Sequence, residues 1–184
     1  MSRILIVNGS PRKDGVDSAV ASMVGEEFSG KGHEVETIDV CGLKIGGCRA
    51  CMACKRTGRC AQDDDMQSLY PKVRDSDMLI LMSPVYFGAE TAQMKAFIDR
   101  LFALTDDERP LGKVRMSSIL LVCGDPDGAM VYGAQLSRLC NAMKYLKVED
   151  FGSGCIIGGL KPEDVRDSPK VRDYMDSIDF QLGL

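Results

Sequence analysis

Histidine is almost missing from this 184-residue chain, occurring once, at His33. That scarcity leaves little room for Cys-His or Ser-His-Asp nucleophilic catalysis, both of which need an imidazole base. Any metal site must therefore lean on cysteine. Positive charge is in short supply too: 23 Lys and Arg face 27 Asp and Glu, a formal net charge of -4. The balance argues against a nucleic-acid partner, which favours a basic surface. No apolar run approaches the ~20 residues of a membrane span, so no membrane partner is expected. The opening MSRILIVNGSPR holds a short apolar stretch that enters a Gly-Ser-Pro turn. It reads as a first strand and not as a secretory signal, and a cytoplasmic location is the default expectation.

Cysteine, by contrast, is abundant and unevenly placed. Of eight, Cys48, Cys51, Cys54 and Cys60 fall within thirteen residues, with Cys41 just upstream. Clustering of this kind favours metal or redox chemistry over disulfide stapling. Cys123, Cys140 and Cys155 lie in apolar segments and read as buried structural residues. Cys41 is also expected to be structural.

The hydrophobic pattern alternates between strands and helices. Ile4–Val7 is apolar at every position, as in a strand buried on both faces of a parallel sheet. Ser18 to Phe28 has helical spacing and is closed by Gly30 and Gly32. His33–Val40 alternates as a second strand, with His33 exposed at its start. Gly42 to Cys60 has no clear period and reads as an inserted loop with one short helical turn. Asp63, Asp64 and Asp65 offer an N-cap and first-turn acids for a helix to about Arg74. Met78–Met82 is a third strand, Ala92 to Leu104 an amphipathic helix, and Ser118–Cys123 a fourth strand. Ala134 to Leu146 is helical, Phe151–Ile157 contains a fifth strand, and Pro162 to Leu182 is helical. Such alternation predicts an α/β fold: a five-stranded parallel sheet in the flavodoxin-like order 2-1-3-4-5, with helices on both faces. The length suits one domain over residues 1–184, with the cysteine-rich loop 41–62 inserted after the second strand.

In such sheets ligands sit beyond the carboxyl ends of the strands, at the switch in strand order. Here those ends are Asn8–Gly15, Ser83–Gly88 and Gly124–Gly128, each a Gly- or Pro-rich turn. The first runs into a helix N-terminus, whose amides and dipole suit a phosphate. Ser10 can donate a hydroxyl and Arg12 charge-assisted bonds.

Gly9-Ser10-Pro11-Arg12-Lys13-Asp14-Gly15, then Asp63–Met66, then Ser83-Pro84-Val85-Tyr86-Phe87-Gly88 with Met94–Arg100 resembles the NADPH-dependent FMN reductase family, and within it the iron-sulfur flavoproteins. The resemblance spans about residues 3 to 125. It implies FMN, with the phosphate at the Ser10–Ser18 loop (Ser10, Pro11, Arg12, Ser18) and the isoalloxazine against Pro84, Val85, Tyr86, Phe87 and Gly88. A further edge contact is implied near Gly124 and Asp125. Tyr86 and Phe87 provide aromatic surface, and Gly88 lets backbone approach a ring closely. One departure stands out. Members of the family commonly carry Asn-Thr, side chains that help hold the phosphate, where this chain has Val16-Asp17. An Asp17 carboxylate beside a phosphate repels it by about 1 kcal/mol even when solvent-screened. The expectation is that Asp17 turns outward to cap the helix, leaving Ser18 as the donor.

The run Cys48-x2-Cys51-x2-Cys54-x5-Cys60 has the compact spacing that wraps a chain around one corner of a [4Fe-4S] cubane. Only one such run exists, so Cys60 is the natural fourth ligand. Zinc normally takes pairs of knuckles separated by a longer spacer. Zinc and free thiols remain the alternatives. The iron-sulfur flavoproteins carry a similar motif, and the resemblance implies a [4Fe-4S] cluster at Cys48, Cys51, Cys54 and Cys60. Lys55, Arg56 and Arg59 would offset thiolate charge or form a solvated loop. Lys95, Asp99 and Arg100 are expected on a surface or subunit-contact face.

The leading functional expectation is an electron-transfer flavoprotein passing electrons between a [4Fe-4S] cluster and FMN. No side chain is assigned as a catalytic acid or base, because the cofactors carry the chemistry. The resemblance implies a ferredoxin-like donor, with oxygen, peroxide or a quinone-like small molecule as acceptor. Because the cysteine loop is inserted beside a flavin site, assembly into a homo-oligomer, a dimer or tetramer, is expected to bring cluster and flavin of different subunits close. The alternative is an NAD(P)H-dependent FMN or quinone reductase without a cluster. A third reading is a non-enzymatic binding module stabilised by zinc.

Overall fold

A computed structural model describes residues 1–105, 112–148 and 154–183. Five parallel strands form one sheet: β1 (Arg3–Asn8), β2 (Glu34–Asp39), β3 (Met78–Pro84), β4 (Met116–Cys123) and β5 (Cys155–Gly158). Their order is β2-β1-β3-β4-β5, the flavodoxin-like topology expected from the sequence. All four pairings are parallel.

The continuous apolar runs explain the layering. Because side chains alternate across a strand, β1, β3 and β4 supply both faces of the sheet. Leu5, Val7, Leu79, Leu81, Ile119 and Leu121 face one core. That core is covered by α3 (Met66–Asp75), α4 (Ala92–Arg100) and α5 (Gly128–Tyr145). Ile4, Ile6, Met78, Ile80, Met82, Leu120 and Val122 face the other, under α1 (Val16–Gly30) and α6 (Pro169–Leu182). Each such side chain, fully buried, contributes about 1.5–3 kcal/mol of hydrophobic stabilisation. β2 is an edge strand, and its burial is correspondingly sparse; Ile38 is its one buried side chain.

Several boundaries differ from expectation. The helix expected through Leu104 stops at Arg100, and Leu101–Leu104 tighten into a 3-10 turn. Helix α5 begins at Gly128, six residues before the apolar period becomes clear. The expected terminal helix splits into a 3-10 turn at Pro162–Asp164 and α6 from Pro169, since each proline sets the geometry of a first helical position. β5 starts at Cys155; the expected Phe151, Gly152 and Ser153 lie outside the described residues. His33 precedes β2 and is half-buried, its Nδ1 accepting from the Ser2 amide at 3.2 Å. Of the three cysteines expected in the interior, Cys123 is buried, whereas Cys140 and Cys155 are only half-buried.

The segment between β2 and α3 holds a 3-10 turn at Val40–Gly42 and one short helix, α2 (Ala53–Thr57). Among the described residues no helix is long and apolar enough to cross a membrane.

Candidate functional site

The carboxyl ends of β1, β3 and β4 open onto a cleft of about 320 Å³, a volume in the ordinary range for small-ligand sites. Ser10, Arg12, Gly15, Val16 and Asp17 form one side of it, and Pro84, Val85 and Tyr86 another. Val122, Cys123, Gly124 and Leu160 complete the lining. Six of the residues expected at a flavin site therefore come together: Ser10, Arg12, Pro84, Val85, Tyr86 and Gly124. Pro11, Ser18, Phe87, Gly88 and Asp125 do not line this cleft. Gly15, Val16, Asp17, Val122, Cys123 and Leu160 do, and were not among the expected site residues.

The loop after β1 is held by its own side chains. Asn8 Oδ1 accepts from the Ser10 amide at 3.0 Å, and Asn8 Nδ2 donates to Asp39 at 2.8 Å. Ser18 Oγ donates to the Arg12 carbonyl at 2.9 Å and accepts from Asn8 Nδ2 at 3.2 Å. Its hydroxyl is spent on the loop rather than offered to the cleft. At the N-cap of α1 stands Gly15, which makes no side-chain cap, and the first turn of the helix lines the cleft through Val16 and Asp17.

Asp17 does the opposite of what was expected. It does not turn outward; it is 3% exposed and lines the cleft. Its Oδ1 has no hydrogen-bond partner. Burial pushes its carboxyl up to about 7, against the lowering effects of its own backbone, the Ser10 hydroxyl and the Arg12 charge. The physical reason lies in the helix face: Asp17 sits three and four residues before Val20 and Ala21, on the side of α1 that packs onto the sheet.

The ring-side loop is a two-residue turn. Tyr86 N donates to the Ala89 carbonyl at 2.8 Å and Ala89 N returns to Tyr86 at 3.2 Å. Both central residues are left-handed, Phe87 at φ +53 and Gly88 at φ +84. Gly88 adopts this freely, whereas at Phe87 it costs about 1–2 kcal/mol. Tyr86 stays at the cleft rim, half exposed, while Phe87 projects fully into solvent.

Thr91 joins this loop to the first. Its hydroxyl caps α4 by accepting from Met94 N and donates to the Gly9 carbonyl at 2.8 Å. Cys41 Sγ donates to the same Gly9 carbonyl at 3.2 Å. Gly9 must be glycine here, since a Cβ would lie 2.8 Å from Met94 Cβ.

Some residues away in sequence, Cys48, Cys51, Cys54 and Cys60 line a second, smaller pocket of about 20 Å³. Arg49, Ala50, Met52, Gln62, Arg100, Phe102 and Ala103 share it. Cys48 and Cys51 are exposed, and Cys54 and Cys60 half-buried. Ala50 at φ +51 and Met52 at φ +57 flank Cys51 in left-handed conformations. Backbone strain of this kind persists where a site imposes it. Among the described residues no three Cys, His, Asp or Glu side chains form a group that could hold a metal ion.

Arg100 anchors this segment, and the surface role expected for it is wrong. It is 1% exposed. Its guanidinium donates to Asp64 through two bonds of 2.6 and 2.9 Å, to the Gly46 carbonyl at 2.9 Å, and to the Tyr70 hydroxyl at 3.2 Å. Arg100 is buried because it lies three residues after Phe97 on the core side of α4. Asp64, held by Arg100, ionises below the usual carboxylate range. Burial raises the Cys60 thiol, and the neighbouring Gln62 amide, Tyr70 hydroxyl and Arg100 charge outweigh it, so the thiol ionises below its ordinary range. Of the three acids expected to start α3, Asp64 does accept from Met66 N in the first turn at 3.3 Å, and Asp64 and Asp65 also bind the cysteine segment. Asp65 makes no side-chain cap and accepts from Lys44 N at 2.7 Å, while Asp64 accepts from Gly46 N at 3.0 Å. They staple the cysteine segment to the body. Lys95 and Asp99 do stay at the surface, paired with each other. Lys55 lies over the Phe102 ring, 4.2 Å from its centroid. Arg56 donates to the Cys51 carbonyl at 3.4 Å, and Arg59 to Gln67 at 3.3 Å.

A family model for NADPH-dependent FMN reductases matches residues 2–153. The chain belongs to that family. It is a flavin-dependent oxidoreductase, and membership supports FMN as its cofactor. An iron-sulfur flavoprotein of Archaeoglobus fulgidus is 36% identical over 162 residues, covering 86% of this chain and 71% of that protein. An iron-sulfur flavoprotein of Methanosarcina thermophila is 33% identical over 126 residues, covering 68% of this chain and 65% of that one. Among solved structures, an NAD(P)H:quinone oxidoreductase of Methanothermobacter marburgensis superposes with a TM-score of 0.75 at 15% identity, covering 96% of this chain and 94% of the other. An NADH:FMN oxidoreductase superposes with a TM-score of 0.71 at 18% identity, covering 100% of this chain and 90% of the other. These likenesses bear on the fold.

Proposed function

We propose that the chain is an electron-transfer flavoprotein in which Cys48, Cys51, Cys54 and Cys60 hold a [4Fe-4S] cluster and the strand-end cleft holds FMN. The observation that carries this reading is the convergence of all four cysteines on one pocket. The donor set is four thiols with no imidazole, as iron-sulfur cubanes take. Two relatives at 33–36% identity bear the name iron-sulfur flavoprotein.

The cleft fits a flavin by size and by its two ends. Ser10, Arg12 and the first turn of α1 would take the phosphate, and Pro84, Val85 and Tyr86 the ring, with Gly124 at its edge. When bound, a flavin exchanges one or two electrons and a cluster one at a time, so the pair would convert between the two regimes. The protein's part is positional. Arg100 and Asp64 fix the cysteine segment, and the Arg100 charge beside Cys60 would offset negative charge on a cluster and raise its potential. The donor is of ferredoxin type and the acceptor a small molecule. Exposed Phe87, with Met130 and Val131 exposed on α5, favours assembly into a homo-oligomer.

The family's description supports a second reading, an NAD(P)H-dependent FMN or quinone reductase that works without a cluster. Anaerobic purification separates the two. About four iron and four acid-labile sulfide per chain together with FMN support the first. FMN without iron, with NAD(P)H turnover, supports the second. Zinc without flavin defeats both.

A further inference from the structure

We propose that Asp17 is the specificity-determining residue for the phosphate end of the flavin: its carboxyl takes up one proton from solvent as FMN binds and donates it in a hydrogen bond to a phosphate oxygen. The inference rests on the cleft being the FMN site. Its own support is geometric. Asp17 is buried, lines the phosphate side of the cleft beside Ser10, Arg12 and the N-terminus of α1, and leaves Oδ1 without a partner. An orphaned oxygen in that position is unusual, since buried polar atoms nearly always find partners. A ligand oxygen at the helix N-terminus would complete it.

An ionised Asp17 would face a phosphate across the same few ångströms and repel it. A protonated one becomes a donor, as a buried carboxyl can. Burial of Asp17 in the cleft wall favours the second state, against the Arg12 charge and the Ser10 hydroxyl. Arg12 is the cation acting on Asp17, from an exposed side chain on the same loop. Ser10 supplies a hydroxyl. Cys41, behind the loop, and Cys123, across the cleft, are both held up as neutral thiols, Cys41 chiefly by burial and then by Asp39 and Asp17. Asp39 at the end of β2 adds negative charge, and Tyr86 closes the far wall. A second negative charge from phosphate pushes the Asp17 proton on more firmly. The balance is one proton from solvent per FMN, with no bond in the flavin changed.

The test uses the whole chain with FMN and with riboflavin, which lacks the phosphate. Binding is followed by flavin fluorescence and by calorimetry in buffers of different ionisation enthalpy, from pH 6.5 to 8.5. Over that range the phosphate is largely dianionic, its second pKa lying near 6, so proton uptake reports on the protein. The expected result is FMN affinity falling up to about tenfold per pH unit above pH 7, with uptake approaching one proton at pH 8. Riboflavin should show neither effect. Asp17→Asn should bind FMN with a flat profile and no uptake, and Asp17→Thr should do the same. FMN bound by the natural chain with a flat profile and no proton uptake overturns the role of Asp17 and leaves the FMN site standing. Failure of both flavins to bind the natural chain and both variants overturns the flavin site itself, and the inference with it.

Discussion

Asp17 and Arg100 are two ionisable side chains buried to almost the same degree, 3% and 1% exposed, and their surroundings are opposite. Arg100 has its guanidinium filled by protein: Asp64 twice, Gly46 and Tyr70. Asp17 has an oxygen with nothing on it. A filled group is a structural rivet, while an unfilled one in a cleft is half of a contact. The cysteine segment is thus held in place by protein alone, although half of its thiols are exposed. The cleft, with far better covered walls, is the part left electrostatically incomplete.

Removing each charge should therefore move stability in opposite directions. Arg100→Leu strands the Asp64 carboxylate and frees the cysteine segment. It should cost about 3–5 kcal/mol in denaturant unfolding and lower the iron and sulfide recovered per chain. Asp17→Asn should stabilise the flavin-free protein. The sign follows from a raised carboxyl: the unfolded chain releases this proton near pH 4, the folded chain only near 7, so stability is lost as pH rises from about 4 through 7. At pH 8 the variant should gain about 2–4 kcal/mol over the natural chain, and near pH 4 almost nothing. Equal gains at both pH values would show that the Asp17 charge is not the cause. Asp64 runs the other way. Its depressed carboxyl contributes stability above the unfolded pKa of about 4 that is lost as pH falls through its folded value, a loss that Asp64→Asn should abolish.

Smaller effects probe the joint between the two regions. Thr91→Val removes both the cap of α4 and the bond to Gly9 and should cost about 1–2 kcal/mol in thermal or denaturant unfolding. Phe87→Gly relieves a left-handed conformation on a fully exposed ring. It should stabilise the isolated chain by about 1 kcal/mol while weakening self-association in sedimentation, if the exposed ring is an assembly contact.

The sheet order was legible because β1, β3 and β4 each carry an unbroken apolar run, Ile4–Val7, Met78–Met82 and Ile119–Cys123, as a doubly covered parallel strand requires. The gathering of Cys48 through Cys60 around one pocket was legible because short spacers leave the chain few paths. Asp17 and Arg100 were misjudged for a common reason. Charge was allowed to outvote helical position. Asp17 precedes Val20 and Ala21 by three and four residues, and Arg100 follows Phe97 by three, so periodicity placed both on buried faces. The partners of Arg100 are 30 to 54 residues distant in sequence, beyond the reach of local pattern. The turn at Phe87–Gly88 pointed its aromatic away from the cleft because both residues adopt positive φ, which no side-chain property of phenylalanine announces.

Helix α4 is capped at Thr91 under the Gly9 carbonyl and ends at Arg100, which binds the cysteine segment through Gly46. Its nine residues make a rod about 14 Å long. In the proposed electron transfer that rod is a ruler. Tunnelling rates through protein fall exponentially with distance, so a helix that neither bends nor stretches converts a fixed residue count into a fixed range of rates. Lengthening α4 by one turn would move Arg100 about 5.4 Å from its partners Asp64 and Gly46, so the ruler cannot be reset without loosening the cysteine segment as well.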